Sequence, residues 1–554
     1  MTAFERTGGH VIVDALARAG AAAVFAIHGV QIDPIFQACA DSGVALVDVR
    51  HEASAGFAAE AAARVSGSIG AVAVCPGPGF TNVLTSMANA RVDRTPVLYL
   101  VSSNPDITQE SNGLQVGLDH VAVASPIAKW SAKVATPAHL ARLVAQAIRI
   151  ATTAPCGPVL LDVPADILAG PAVDGAREYA ALVNTAGVAD ADVDRCLDPL
   201  VMAARPAVLV GHTASGVARE ALDMFATRSG VPCFVDYRAV GALADHHPAY
   251  GGTLYQLARL PLDARPDVVV AVGVQFGFDT PGLRDGGVSW GTTIIHADAD
   301  PAEVGRLSAG VAGLVADPDQ MLIAMAARAQ RFEWHVAATW TAAVQSARSN
   351  TRADLDAIAA SDGERLHPYA ASRVVSDAVA ANDAILIGDG AVCKHWLHDA
   401  LRLPAGAVYL THGRFGCMGV GPGLAIGAAT TMPGRPVVCV TGDGAMGFSI
   451  GEFEAMVRHQ LPITVVVLNN ARWGASQGFQ MRPGSRQRIV GTNLTDADYH
   501  DVMIAFGGRG ARVDSVDELA TAIATAIASG LPTCINVSTN NLGVAPEIPL
   551  LNAP

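Results

Sequence analysis

At 554 residues the chain exceeds what one hydrophobic core supports, and at roughly 150 residues per domain it divides into three or four. With 51% hydrophobic and 16% charged residues and 55 glycines it is neither disordered nor fibrous, and a net charge of −14 with no basic stripe excludes nucleic acid as a partner. No apolar run is long enough to span a bilayer and the polar start MTAFERTGGH has no signal-peptide core, so a soluble, cytoplasmic protein without a membrane partner is expected.

Short apolar runs alternate with helical patterns throughout, which predicts an α/β chain of doubly wound parallel sheets covered by helices. The first block, residues 1–170, carries strand candidates at 44–49, 71–75, 97–103 and 158–163, followed by a connecting segment, LAGPAVDGAREYAALVNTAG. The second, residues 185–335, carries RPAVLVG, CFVDY, DVVVAVGV and TIIHADAD. A polar helical stretch, FEWHVAATWTAAVQSARSNTRADLDAIAASDGE, reads as a tether to the third block, residues 365–545, whose strands are expected at 384–390, 407–412, 436–444, 463–470 and 534–539. Blocks one and three share a rhythm that points to a duplicated fold. The nine cysteines form no CxxC pair and no Cys/His cluster, so reduced and mostly buried thiols are expected.

The third block contains GDGAMG after a strand, which matches the glycine fingerprint of a dinucleotide fold. That reading expects an acid at the end of the following strand, but Asn469 and Asn470 stand there and the acid, Asp443, sits inside the glycine turn. An acid among phosphates makes sense when a divalent cation lies between them, and magnesium is commonly shared between one or two carboxylates and substrate phosphates. Asp443 and the carbonyl of Asn470, at neighbouring strand ends, can both reach such an ion, while Gly442 and Gly444 let the backbone approach phosphate oxygens.

GDG, twenty-four residues, then NN resembles the thiamine diphosphate and magnesium motif of the pyruvate oxidase, decarboxylase and acetolactate synthase superfamily. The resemblance implies that Asp443, Asn470 and the carbonyl of Arg472 bind Mg2+, with Gly442, Gly444, Ala445 and Gly474 around the diphosphate. Gly390 and Ala391, in IGDGAV, resemble further diphosphate contacts, although a plain strand-to-helix turn reads equally well there. In HGRFGCMGVGPG, Gly416 would accept the pyrimidine amino group and Met418 would bend the cofactor, the plainer reading being a buried core methionine.

Read alone, Glu52 in VRHEASAGFAAEAAA is a helix-start acid favoured by the helix dipole. Within the superfamily it matches the acid at the cofactor's aminopyrimidine, which helps that ring remove a proton from the thiazolium and works best in a dry, apolar setting. In this superfamily the two halves of the site come from different subunits. A homo-oligomer, a dimer of dimers, is therefore expected, with active sites at subunit interfaces.

Across nearly the whole chain the resemblance runs nearest to the benzaldehyde lyase family, on segments such as SNGLQVGLDHVAVASPIAKW and GDGAMGFSIGEFEAMVRHQLP. It implies a lyase and carboligase that cleaves and forms 2-hydroxyketones without oxidation. Gln115 matches a glutamine that orients the bound intermediate, with a surface amide as the plainer reading. His28 matches a pocket histidine, and Leu114, Ala475 and Phe479 match pocket positions. The departures also matter: Gln31 and Val30 replace the family's histidine and alanine, Ala165 replaces a tryptophan, and Lys394 replaces a tyrosine. An amide at 31 cannot titrate near neutral pH. The open aryl pocket and Lys394, which otherwise reads as a solvated rim lysine, keep a 2-hydroxyacyl-CoA lyase or an acetolactate synthase-like decarboxylating ligase as the alternative.

Overall fold

Eighteen strands, drawn largely from near-continuous Val, Ile, Leu and Ala runs, assemble into three six-stranded parallel sheets in a computed structural model of the chain. The structure describes residues 6–108, 113–173, 187–211, 216–277, 291–306, 312–360 and 365–540. The first sheet has β1 (Ala23–Ala26), β2 (Ala45–Asp48), β3 (Gly70–Val74), β4 (Val97–Val101), β5 (Trp130–Lys133) and β6 (Val159–Asp162), ordered β2-β1-β3-β4-β6-β5. The second has β7 (Pro206–Val210), β8 (Cys233–Val235), β9 (Tyr250–Thr253), β10 (Val268–Val272), β11 (Thr293–Asp298) and β12 (Ala312–Val315), ordered β12-β11-β10-β7-β8-β9. The third has β13 (Ile385–Gly388), β14 (Tyr409–Thr411), β15 (Val437–Gly442), β16 (Ile463–Asn469), β17 (Arg509–Val513) and β18 (Thr533–Ser538), ordered β14-β13-β15-β16-β18-β17.

Each of the thirteen expected strands is present within a residue or two of its apolar run. The other five carry weak sequence signals. β5, WSAK, β9, YGGT, β12, AGLV, and β17, RGARV, are edge strands short of large apolar residues, and β1, AVFA, is too brief to stand out among its alanines. Numbered within its own sheet, the third domain repeats the strand order of the first, which agrees with a duplication. The central sheet follows a different, symmetrically branching order.

The expected tether is instead part of the packed structure. Its helix, Ala338–Ala360, buries Trp340, Val344, Arg348 and Leu355. Trp340 donates to the carbonyl of Pro206 at 2.9 Å, and Leu355 packs with Tyr369, Trp396 and Ala400 of the third domain. Polar composition misled here because Arg348 carries its charge inward, onto the carbonyls of Asp245 and Tyr250. Most of the connecting segment expected after residue 168 lies outside the described residues.

The alanine-rich helix Glu52–Ser66 joins the first domain to the third by lying against the helix Gly421–Thr431. A Cβ on Gly423 would stand 2.9 Å from the carbonyl oxygen of Ser54, and one on Gly427 2.0 Å from that of Ala58. Small residues on both helices are therefore what brings the two backbones this close. Nearby, Asp93 meets Arg238 of the central domain at 2.7 Å and the N–H of Gly413 of the third at 2.9 Å, a buried junction of all three domains. Burial, followed by the charge of Asp93, raises the affinity of neighbouring Glu60 for a proton. Among the described residues no helix is long and apolar enough to cross a membrane, and the nine cysteines are unpaired, seven of them buried.

Candidate active site

The parallel pairing of β15 with β16 sets Gly442 beside Leu468, so the turns that follow both strands open onto one cavity. Asp443, Asn470 and Arg472 line it together with Gly390, Ala391, Gly442, Gly444, Ala445, Gly474 and Ala475, and Met418 faces it from the loop after β14. Met418 is 38% exposed and thus not a core residue. Asp443 is buried, its Oδ2 accepts the N–H of Arg472 at 3.0 Å, and burial pushes its carboxyl up to about 6. Gly390 takes a φ of +83°, and a Cβ on Gly444 would lie 2.6 Å from the ring of Trp473. The lining can therefore carry little more than backbone around the acid. Of the two asparagines only Asn470 lines the cavity. Asn469 is buried and donates to Asp496, Ala497 and Asn536, which ties β16 to β18.

The first domain supplies a separate cluster. Glu52 opens its helix, half-buried, with His51 as N-cap, and Asn82 Nδ2 donates to Glu52 Oε2 at 2.9 Å. Gly79 lies within reach of both Glu52 and Cys75, and Gly77 packs on Gln115. Gln115, at a φ of +61°, accepts the amide of Gln31 at 2.8 Å, so the two glutamines form a pair. Beside them Val30 and Leu114 are 84% and 80% exposed, an open apolar surface around polar groups. His28 is turned to Asp33 at 3.1 Å and edge-on to Phe36. Ala165 anchors its backbone on the carbonyl of Ser103 at 2.8 Å. No residue of this cluster lines the cavity around Asp443. Within one chain the two halves of the expected site stay apart.

Lys394 departs from the expected rim position. It is 4% exposed and faces the central domain, in an interior group with Arg238, His398 and His412, while its neighbours Val392 and Cys393 line the cavity. Burial, reinforced by the lysine's charge, holds His398 well below the usual imidazole range and His412 down to about 3. The helical period explains the reversal, since adjacent residues of Val392–Ala400 project about 100° apart. Phe479 is 46% exposed under the guanidinium of Arg482, and Gly416 is exposed with a φ of +72°, neither of them among the cavity-lining residues.

Several residues went unread in the sequence. Trp473 walls the cavity against Gly444, and Asp389, fully buried, accepts from the N–H groups of Gly390, Gly419 and Gly421 and from Thr441. Asp389 thereby pins the loop that carries Met418. Its place in IGDGAV offered a hint, but only the fold shows that its donors come from three strand ends.

Three family models match in succession: "Thiamine pyrophosphate enzyme, N-terminal TPP binding domain" over residues 6–123, the central domain over 193–325, and the "C-terminal TPP binding domain" over 389–537. The chain belongs to the thiamine pyrophosphate enzyme family. Among the relatives of this thiamine pyrophosphate enzyme, a "Probable acetolactate synthase" of Mycobacterium bovis is 32% identical over 551 residues, covering 96% of this chain and 95% of that protein. "Oxalyl-CoA decarboxylase" of Escherichia coli K12 is 29% identical over 541 residues, 96% and 94% of the two chains. Human "2-hydroxyacyl-CoA lyase 2" is 28% identical over 550 residues, 91% and 85% of the two. These names differ from the benzaldehyde lyase that the sequence motifs favoured.

The residues present fit the family's cofactor. A glycine-walled cavity with one buried acid and a neighbouring asparagine leaves room for a diphosphate held through a cation. Among the described residues no group of three His, Cys, Asp or Glu could hold a metal alone.

Proposed function

We propose that this protein is a thiamine diphosphate- and Mg2+-dependent enzyme that makes and breaks a carbon–carbon bond beside a carbonyl. We further propose that it takes a 2-hydroxyacyl thioester or a 2-oxo acid in preference to an aromatic acyloin. The observation that carries the reading is the presence in one chain of two complementary half-sites: the cavity with Asp443, Asn470 and Arg472, and the cluster with Glu52, Gln31 and Gln115. When bound, the cofactor supplies a stabilised carbanion equivalent at its thiazolium.

The chain's own residues do the rest. Asp443, Asn470 and Arg472 hold the magnesium, and Gly390, Ala391, Gly442, Gly444, Ala445 and Gly474 admit the diphosphate. Met418 would pack against the cofactor from the loop after β14, and Glu52 would hold a proton at its pyrimidine ring. Gln31 and Gln115 orient the substrate oxygen by hydrogen bonds without titrating. Val30, Leu114, Ala165, Ala475 and Phe479 bound the substrate without a continuous aromatic wall. With Lys394 buried elsewhere, recognition of a substrate carboxylate or phosphate falls to other groups.

Glu52 does not line the cavity that holds Asp443 in the same chain, so a second copy completes each site. Val30 and Leu114 on one half, and Phe415, Phe448 and Phe479 on the other, are the exposed apolar residues that it would cover. The test incubates the protein, thiamine diphosphate and magnesium with 2-hydroxyacyl-CoA, 2-oxo acids and benzoin, following aldehyde and CO2 together. Aldehyde from the thioester, or CO2 from the 2-oxo acid, supports the reading. Turnover of benzoin alone restores acyloin cleavage as the principal activity.

A further inference from the structure

The two half-sites are joined through one carboxylate that neither of them contains. Glu452 opens the helix Glu452–Arg458, nine residues after Asp443, and is 1% exposed. Its Oε1 and Oε2 accept the N–H of Arg50 at 3.2 and 3.1 Å, and the N–H of His51 and the hydroxyl of Ser54 also bond to it. These are the residues on either side of Glu52. His51, the N-cap of that helix, accepts the N–H of Ala53 on its own ring. The backbone that leads into the helix is thus held from another domain, 402 positions away in sequence, while the first-turn N–H groups of Ala53, Ser54 and Ala55 are met by His51 itself.

We infer that Glu452 is a positioning residue for Glu52, fixing the start of the Glu52 helix relative to the segment that carries Asp443. The inference rests on the reading of Glu52 as the acid that meets the cofactor. Gly451 leaves the approach open, its missing Cβ 3.5 Å from the Cβ of Arg50. The charged group that acts on the carboxylate is Arg50 of the first domain, itself paired with Glu454, which also holds Arg458, and Arg458 in turn meets Asp48. No cation contacts Glu452 as an ion-pair partner within 4 Å among the described residues, and burial pushes its carboxyl up to about 7. Its two oxygens are therefore committed to the start of the Glu52 helix, through the N–H groups of Arg50 and His51 and the hydroxyl of Ser54. A displacement of about 1 Å at a reacting group costs up to about 100-fold in rate, which makes a fixed helix start worth having.

The experiment compares Glu452→Gln, which keeps the size of the side chain, with Glu452→Asp, Glu52→Gln and the double variant. In protein without cofactor, hydrogen exchange of the amides in residues 50–54 should rise at least about tenfold in Glu452→Gln, with Glu452→Asp intermediate. In the loaded enzyme kcat should fall about 100-fold in Glu452→Gln while KM and the magnesium half-saturation stay within about threefold. In the Glu52→Gln background the second substitution should cost less than about twofold, because both act through one carboxyl. Unchanged exchange at 50–54 in Glu452→Gln, or a loss that multiplies with that of Glu52→Gln, overturns the inference. An active Glu52→Gln variant instead overturns the underlying reading of Glu52. An inactive Glu52→Gln beside a parent-like Glu452→Gln removes this inference alone.

Discussion

The first and third domains share one strand order and put unlike chemistry at equivalent strand ends. After the third strand of its sheet the third domain has Asp443 in a glycine-walled cavity, whereas the first domain has Cys75 and the Gly77–Gly79 turn. After the second strand the first domain has Glu52, half-buried at a helix start, whereas the third has two buried residues, His412, bonded to the carbonyls of Gly413 and Gly390 in its own domain, and Gly413, whose N–H meets Asp93 of the first. One half-site is a finished pocket and the other is an open surface flanked by exposed Val30 and Leu114. A repeated backbone fixes where strand ends converge, and side chains decide which end binds a cation and which presents an acid.

Substitutions at these ends break or sharpen that contrast. The largest effect is expected from Glu52→Gln: roughly 10²- to 10⁴-fold lower kcat with cofactor still bound, read by steady-state kinetics and by thermal shift with thiamine diphosphate and magnesium. An active variant would return Glu52 to a plain helix-start acid. Asp443→Asn should abolish the joint stabilisation by magnesium and cofactor, which in the parent reaches about 2.7 kcal/mol at a ligand concentration of 100 Kd. Stabilisation by NAD in its place would revive the dinucleotide reading.

Gly444→Ala drives a Cβ toward the Trp473 ring and should cost about 1–3 kcal/mol of stability, measured by denaturant melts. A pH series tests the carboxylate that joins the halves. Glu452 moves from its ordinary 4.5 to about 7, so the folded state binds more protons than the unfolded one in that window, and stability falls as pH rises from about 4.5 to about 7. Glu452→Gln should flatten that slope by up to about 3 kcal/mol in melts of cofactor-free protein. The smallest effect is expected for Lys394→Met, which should leave the cofactor half-saturation within about twofold of the parent. A larger change would bring that lysine back to the substrate side.

Much of the architecture was legible because buried parallel strands must be apolar for their whole length. The thirteen strong runs became strands; the edge strands β5, β12 and β17 escaped because half-exposed edges need no such run, and β9, though buried, because its two glycines leave no apolar run to read. The helix Ala338–Ala360 was misread for a related reason: Arg348 hides a charge that composition assigns to solvent. At the site, Asp443 and Asn470 stood out through spacing alone, since adjacent strand ends must meet. Glu452 did not, because it acts on residues 50, 51 and 54 and that pairing exists only across two domains.

By itself the sequence determined the α/β class, the three-block division and the acid-in-glycine-turn motif, all of which follow from local periodicity and short spacing. The tertiary structure decided what depends on direction and on partners distant in the chain: that Lys394 points inward, that Asn469 braces the sheet while Asn470 faces the cavity, and that Glu52 and Asp443 lie in separate halves. The physical reason is that local patterns constrain which residues leave water, while the group each one meets there is set only when distant segments pack.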